Sequence, residues 1–129
     1  MNFASIRIIT SDIRVLIQFY EKITGLPITK YTEDFAELRT PYFVLAIGSA
    51  RTLQLFGGAH LAAPQTNRSV ILEFRVENVD AEYDKLKEHL GNDLVQLPTT
   101  MPWGNRSMLF RDPDGNLVNF FTPVTDPSK

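Results

Sequence analysis

The sequence predicts an α+β protein built from two related modules, each consisting of a strand, a helix and then further strands. Two amphipathic stretches each follow a short strand rich in β-branched residues, begin after a polar capping residue and end at a glycine. The two copies align without a gap at an offset of 66 residues, the separation of Ile6 from Leu72. An ordered match of strand, cap, helix and stop is much harder to obtain by chance than one identity.

The first module begins with a strand over residues 6–10. Asp12 follows as the helix N-cap, because a short polar side chain there can accept a hydrogen bond from a free backbone amide. Gly25 ends the helix, since glycine readily adopts the left-handed conformation that closes a helix C-terminus. The apolar residues at helical spacing are Ile13, Leu16, Ile17, Tyr20 and Ile23. Further strands are predicted over residues 28–32, 35–47 with a break near Pro41, and 52–56.

The second module repeats this plan, with a strand over residues 70–76, Asn78 as N-cap and Gly91 after the helix. Its helix has an apolar face consisting of Val79, Tyr83, Leu86 and Leu90. Strands are then predicted over residues 94–97, 107–111 and 117–122. An Asp-Pro-Asp-Gly sequence at 112–115 joins the last two strands, and its proline and glycine are typical of a tight hairpin turn.

The chain is expected to form a single domain over residues 1–129, which is within the usual size range for one hydrophobic core. Module 1 covers about residues 1–57 and module 2 about residues 69–125. The connector between them, residues 58–68, contains Ala-Ala-Pro and no periodic apolar pattern.

Composition excludes several classes of function. The formal net charge is −2, and Lys and Arg are scattered along the chain, so there is no basic patch for nucleic acid or an anionic membrane. The sequence has no cysteine, which excludes disulfides, thiolate metal sites and cysteine nucleophiles. No apolar window approaches the length of a membrane span, and the N-terminus lacks a signal-peptide core. We therefore expect a cytoplasmic protein without nucleic-acid or membrane partners.

Four short motifs occur in order along the chain. They are Phe-Tyr-Glu at 19–21, Gly-Leu-Pro at 25–27, Pro-Trp-Gly at 102–104 and Phe-Arg-Asp-Pro-Asp-Gly-Asn at 110–116. Together with the tandem modules, they resemble the glyoxalase, bleomycin-resistance and extradiol-dioxygenase superfamily, also called the vicinal oxygen chelate fold, and its bleomycin-resistance-like members above all. The resemblance implies an open half-barrel with the helices on its convex side, a small-molecule ligand in the concave cavity, and a homodimer.

In metal-using members of this superfamily, the first and last strands of each module commonly supply histidine and carboxylate ligands. The resemblance places four residues at those positions, Ser5, Gln54, Ile71 and Asn119. Gln54 is taken as the counterpart of Asn119 because 65 residues separate them, close to the repeat offset. Divalent metals prefer imidazole and carboxylate donors, whereas this set offers a hydroxyl, an alkyl group and two neutral amides. The two histidines, His60 and His89, are isolated. We therefore expect no metal and no other cofactor.

Charged residues are predicted on the same face as the former ligand positions, because side chains alternate between faces along a strand. They are Arg7 in the first module and Glu73 and Arg75 in the second. One interpretation is a solvated or mutually paired polar face. The other is that these side chains orient a polar ligand, with Glu73 as a candidate catalytic base if it is buried. The sequence leaves both interpretations open.

Three aromatic residues are further candidates for ligand contact. Trp103 lies in a loop-like segment, where it either anchors the loop or borders the ligand crevice, as an aromatic in this motif often does in bleomycin-resistance-like proteins. Phe56 and Phe121 are in phase with Gln54 and Asn119 and are expected to add apolar wall.

Two functions follow from these expectations. The first is a metal-independent binding protein of the bleomycin-resistance type, which sequesters or carries a small aromatic or cationic ligand in a mostly apolar cavity. The alternative is an enzyme of the same superfamily, an isomerase, lyase or dioxygenase, with displaced metal ligands or with acid–base chemistry at Glu73. The replaced metal ligands favour the binding protein.

Overall fold

A computed structural model describes residues 1–124 of the chain. It has a mixed α+β fold with two four-stranded sheets, so the predicted α+β class is confirmed. The chain divides into two compact units, Met1–Asn67 and a second unit that begins at Arg68. The predicted end of the second module, near residue 125, falls outside the described residues.

The first unit contains one sheet and one long helix. Its elements are β1 (Ser5–Thr10), α1 (Ile13–Thr24), β2 (Thr29–Thr32), β3 (Phe35–Arg39) and β4 (Val44–Ser49), followed by 3-10 helices at Ala50–Leu55 and Ala59–Leu61. The sheet order is β1-β4-β3-β2. The first and last strands pair in parallel and the remaining pairs are antiparallel, so β1 and β4 lie side by side.

The second unit repeats this arrangement. Its elements are β5 (Ile71–Arg75), α2 (Val79–Leu90), a short 3-10 helix (Gly91–Asp93), β6 (Leu94–Thr100), β7 (Asn105–Arg111) and β8 (Leu117–Pro123). The sheet order is β5-β8-β7-β6, and β5 is parallel to β8. The first and last strands of the unit are therefore neighbours, as they are in the first unit. No helix among the described residues is long and apolar enough to cross a membrane.

Both helices begin at the predicted capping residues. The Asp12 side chain accepts a hydrogen bond from the Val15 amide at 3.3 Å, and Asn78 accepts one from the Ala81 amide at 3.1 Å. Gly25 adopts a left-handed conformation with φ 68°, and its amide donates to the Glu21 carbonyl. These local signals depend on residues close in sequence, which is why the sequence was sufficient to place them.

The predicted turn between the last two strands is also present. The Asp112 carboxylate accepts hydrogen bonds from the amides of Asp114 and Asn116, each at 2.9 Å. Gly115 has φ 84°, in the region that glycine adopts without strain. This turn holds β7 and β8 in antiparallel register up to Asn119 and beyond.

The strand predicted over residues 52–56 is wrong, because that segment forms the first 3-10 helix and the residue that follows it. The chain leaves the sheet at Ser49, where the Thr52 hydroxyl donates to the Ser49 carbonyl at 2.7 Å. Short-range hydrogen bonds of this kind compete with a strand ladder for the same backbone groups. The single long strand predicted over 35–47 is instead the β3–β4 pair, and it breaks around Pro41 as the sequence indicated.

Candidate functional site

Each sheet has one face covered by its helix and one open face, defined here as the face opposite the helix. On β5, Leu72 is only 7% exposed, whereas Ile71 is 48% exposed and Glu73 and Arg75 are also exposed. On β1, Ser5 and Arg7 are exposed in the same alternating way. The residues predicted to share a face with the former metal positions therefore lie on the open faces of their sheets.

On the open face of the second unit, Glu73 and Asn119 form a hydrogen-bonded pair. They are direct neighbours in the parallel β5–β8 register. The Asn119 Nδ2 group donates to Glu73 Oε2 at 2.9 Å. Glu73 makes none of the ion pairs among the described residues, so its negative charge faces the open side with only a neutral amide beside it.

The orientation of the Asn119 amide follows from this pairing. An ionised carboxylate can only accept hydrogen bonds, so the amide must turn its NH₂ group toward Glu73 and its oxygen away. The oxygen, Oδ1, is buried and has no hydrogen-bond partner within residues 1–124. Asn119 as a whole is 9% exposed. An orphaned buried acceptor costs about 1–3 kcal/mol, so a ligand that donates to it recovers that free energy.

Apolar and charged side chains surround this pair along the sheet. Leu109 on β7 is paired with Asn119 on the side away from Glu73. One step along the strands, Arg75 pairs with Phe121, which is partly buried. Ile71 lies one step in the other direction and leaves nearly half of its surface open. The pair thus has apolar neighbours along both strand directions.

On the open face of the first unit, Arg7 occupies the place that Glu73 has in the second. Its guanidinium carbon lies 4.9 Å from the centroid of the Phe35 ring and 5.3 Å from that of Phe56. The sequence indicated Arg7 and Phe56, but it missed Phe35, which the prediction had placed within one long strand. The break near Pro41 was the available signal, because it brings Phe35 back beside β4.

Gln54 is not the counterpart of Asn119. In the β1–β4 register Arg7 pairs with Ala46, as Glu73 pairs with Asn119 in the second unit. Ala46 therefore holds the last-strand position, and Gln54 is an exposed residue of the 3-10 helix. Phe56 likewise lies off the strand, just after this helix, and reaches Arg7 by that route. The error arose because the offset of 65 was close to the repeat while the strand itself ends earlier.

Trp103 lies in the turn between β6 and β7. The Gly104 amide donates to the Met101 carbonyl at 3.0 Å, which closes the turn. The indole is 73% exposed, so it is not a buried anchor of the loop. Because β8 runs antiparallel to β7, this turn is at the end of the sheet where Arg75 and Phe121 lie.

The residues at the metal positions do not fit a divalent metal ion. Once Ala46 replaces Gln54, the set offers the Ser5 hydroxyl, the neutral amide of Asn119, and the alkyl groups of Ala46 and Ile71. Glu73 adds a single carboxylate, and its Oε2 is already bonded to the amide. Among residues 1–124, no three His, Asp or Glu side chains are grouped closely enough to hold a metal. Metals of this class require several imidazole or carboxylate donors.

Lowered carboxyl pKa values occur elsewhere in the two units. Hydrogen bonds from Arg51 and then from Ser49 hold the pKa of Asp34 below its ordinary value of 3.8. The Arg106 guanidinium, which binds both Asp80 carboxylate oxygens, holds the Asp80 pKa below 3.8. Both pairs join neighbouring elements within a unit: Asp34 contacts the first 3-10 helix, and Arg106 joins β7 to the start of α2.

This arrangement defines a class of protein. Each unit has a parallel pair of first and last strands beside an antiparallel hairpin and a single long helix, as in glyoxalase-type proteins. The chain belongs to the Glyoxalase/Bleomycin resistance protein/Dioxygenase superfamily, whose sequence model it matches over residues 2–120. The superfamily inferred from the motifs is therefore confirmed.

Individual relatives support the family at the level of sequence and fold. The uncharacterized protein YraH of Bacillus subtilis (strain 168) is 28% identical over 126 residues, which are 94% of this chain and 98% of that protein. A glyoxalase/bleomycin resistance protein/dioxygenase from Nocardioides has a TM-score of 0.79 at 21% identity, covering 100% of this chain and 89% of its own. A family enzyme from Burkholderia phytofirmans PsJN has a TM-score of 0.81 at 18% identity, covering 95% and 99%. At such identities the two structures show the shared fold alone.

Proposed function

We propose that the protein is a metal-independent small-molecule binding protein of the bleomycin-resistance type, with its ligand held at Glu73 and Asn119. One observation carries the proposal. A buried, unpartnered amide oxygen lies beside a carboxylate that has no cationic partner among the described residues. Two hydrogen-bond acceptors side by side, one of them charged, call for a ligand that brings donors and positive charge.

The chemistry of the pair favours a small aromatic amine or a related cation. An ammonium group carries several N–H donors, enough to reach Glu73 and the Asn119 oxygen together. A charge-assisted hydrogen bond is about twice as strong as a neutral one. Ile71, Phe121 and the exposed Trp103 supply apolar surface for the remainder of such a ligand, with Arg75 at its edge.

A binding titration tests this proposal with benzylamine as the probe. Isothermal titration in buffer containing EDTA is expected to show binding of benzylamine and weaker binding of the neutral analogue benzyl alcohol. Glu73→Gln is expected to reduce benzylamine affinity by about tenfold, since it removes the charge while keeping the shape. The matched control is Glu88→Gln on the exposed surface of α2. Equal affinity in both variants, or no binding of benzylamine, would contradict the proposal.

The alternative is an enzyme of the same superfamily. The Burkholderia phytofirmans relative is described as a family enzyme, and Glu73 keeps one carboxylate oxygen, Oε1, outside its hydrogen bond to Asn119. That oxygen is placed to accept a proton from a bound substrate. Purified protein that retains stoichiometric Fe, Mn, Ni or Zn after dialysis, or that turns over a bound compound, would favour this alternative.

We also propose a twofold homodimer, which the superfamily resemblance implies. Exposed aromatic side chains in the first unit support it: Tyr42 is 96% exposed, and the exposed Phe3 ring lies 5.5 Å from that of Phe43. Apolar surface left in water costs about 25 cal/mol per Å², so covering it favours association.

A further inference from the structure

Arg7 is held between two aromatic rings on the open face of the first unit. The distances of 4.9 Å to Phe35 and 5.3 Å to Phe56 are within the range of cation–π contacts. Phe35 comes from β3, and Phe56 follows the first 3-10 helix, so two different elements restrain one guanidinium. Contacts with the ring faces leave the N–H groups at the edge of the guanidinium available for hydrogen bonds.

No acidic side chain among the described residues neutralises Arg7. It takes part in none of the ion pairs or side-chain hydrogen bonds found there. The nearby acids are engaged elsewhere: Glu37 binds Arg39 at 2.7 Å, and Asp34 binds Arg51 at 2.6 Å. Arg7 therefore presents a positive charge whose hydrogen-bond donors are unused.

The surrounding backbone is shaped to accommodate this arginine. Gly48 lies on β4 next to Ile9, one step along from Arg7. A Cβ atom at Gly48 would be 3.3 Å from Arg7 Cδ and 3.2 Å from Thr52 Oγ1, closer than most side-chain contacts. The absence of a side chain at Gly48 therefore lets the arginine stem lie across β4.

The element that carries Phe56 is also fixed in place. Asp34 Oδ1 accepts hydrogen bonds from the Ser49 hydroxyl at 2.7 Å and from the Arg51 guanidinium. These bonds tie the start of the 3-10 helix to the β2–β3 turn. Phe56 is thus positioned by a local network rather than by burial, since its ring is 63% exposed.

From these observations we infer that Arg7, Phe35 and Phe56 form a binding subsite for an oxyanion, such as a carboxylate or phosphonate, attached to an aromatic or apolar group. Guanidinium groups bind planar and tetrahedral oxyanions through paired N–H donors, and flanking rings provide surface for the attached group. The equivalent position in the second unit is Glu73, so the two open faces select groups of opposite charge. This subsite is separate from the proposed amine site and does not depend on it.

Phenylphosphonate is the probe that tests the inference. Its addition, followed by the ¹H–¹⁵N signal of the Arg7 Nε–H group and by backbone amides of the first unit, is expected to give saturable shifts. Arg7→Gln is expected to weaken binding at least about tenfold, because the charge-assisted hydrogen bonds are lost. Arg7→Lys is expected to recover only part of the affinity, since an ammonium cannot make the paired contacts. The matched control is Arg14→Gln at an exposed position of α1, which should bind as the unchanged protein does.

A second variant separates the stacked arrangement from simple charge attraction. Phe56→Leu leaves Arg7 in place but removes one ring, and it is expected to weaken phenylphosphonate binding severalfold. Glu73→Gln should leave phenylphosphonate affinity unchanged even if it abolishes benzylamine binding, so the two proposals can fail independently. The inference is overturned if the unchanged protein does not bind phenylphosphonate, if Arg7→Gln binds it equally well, or if Arg14→Gln loses as much affinity as Arg7→Gln.

Discussion

At the level of single side chains, the Glu73 carboxylate determines which way the Asn119 amide points. Because the carboxylate accepts but does not donate, the amide oxygen is turned into a buried position without a partner. A protein under selection for stability alone gains nothing from such an atom. Its persistence is explained if the oxygen meets a donor on a bound ligand.

Replacing Asn119 with Leu is therefore expected to have opposite effects on stability and binding. Leucine has a similar volume and no orphaned acceptor, so the free energy of unfolding should rise by about 1 kcal/mol. Benzylamine affinity should fall, because one acceptor is lost. Urea unfolding and isothermal titration of the same variant measure both effects.

Asn116→Leu provides the control for this substitution. The Asn116 amide is also buried, but its Nδ2 group donates to Asp112 Oδ2 at 2.8 Å in the turn. Leucine there breaks a satisfied buried hydrogen bond and should lower the free energy of unfolding by about 1–3 kcal/mol. If both leucine variants were equally destabilised, the Asn119 oxygen would not be the orphan described.

At the level of elements, the helices and their caps were predictable because their signals lie within a few residues of each other. The Asp12 and Asn78 caps and the turn at 112–115 are of this kind. The end of β4 was not predictable, because it depends on bonds between Ser49 and Asp34, which are distant in sequence. The Glu73–Asn119 contact likewise depends on pairing between the first and last strands of the unit, a nonlocal choice.

The Asp34 network predicts a pH-dependent effect in the first unit. The folded-state pKa of Asp34 is below its ordinary value of 3.8, so its carboxylate stabilises the fold above that pH. The contribution is lost as pH falls through the lowered pKa. Asp34→Asn should therefore destabilise the protein near neutral pH, and the difference from the unchanged protein should shrink in acid below 3.8.

Urea unfolding at neutral and acidic pH measures this difference. Asp93→Asn, an exposed carboxylate in the short 3-10 helix after α2, is the matched control and should show little pH-dependent difference. A destabilisation by Asp34→Asn that is the same at both pH values would mean that the charge of Asp34 is not what holds the 3-10 helix.

At the level of the whole molecule, two units of one plan have diverged in the chemistry of their open faces. The first unit has Arg7 and Ala46 where the second has Glu73 and Asn119. The repeat offset could be read from the sequence through the helices. It failed for the last strand because the first unit adds a 3-10 helix after β4 that has no equivalent after β8 among the described residues.

The proposed dimer is tested by sedimentation equilibrium at micromolar concentration. The expected mass is about twice the chain mass of 14.7 kDa, since the exposed aromatic surface of the first unit favours association. A single species at the chain mass would contradict the dimer and leave the ligand proposals untouched, because each rests on contacts within one unit.

The most direct test of the central claim is a crystal structure of the protein with benzylamine, prepared without added chelator. The account predicts the ammonium nitrogen at about 2.7–3.2 Å from both Asn119 Oδ1 and a Glu73 carboxylate oxygen, with no metal ion bound to Asn119. Benzylamine bound elsewhere with the Asn119 oxygen still unpartnered, or a metal ion coordinated by Asn119 and Glu73, would contradict it.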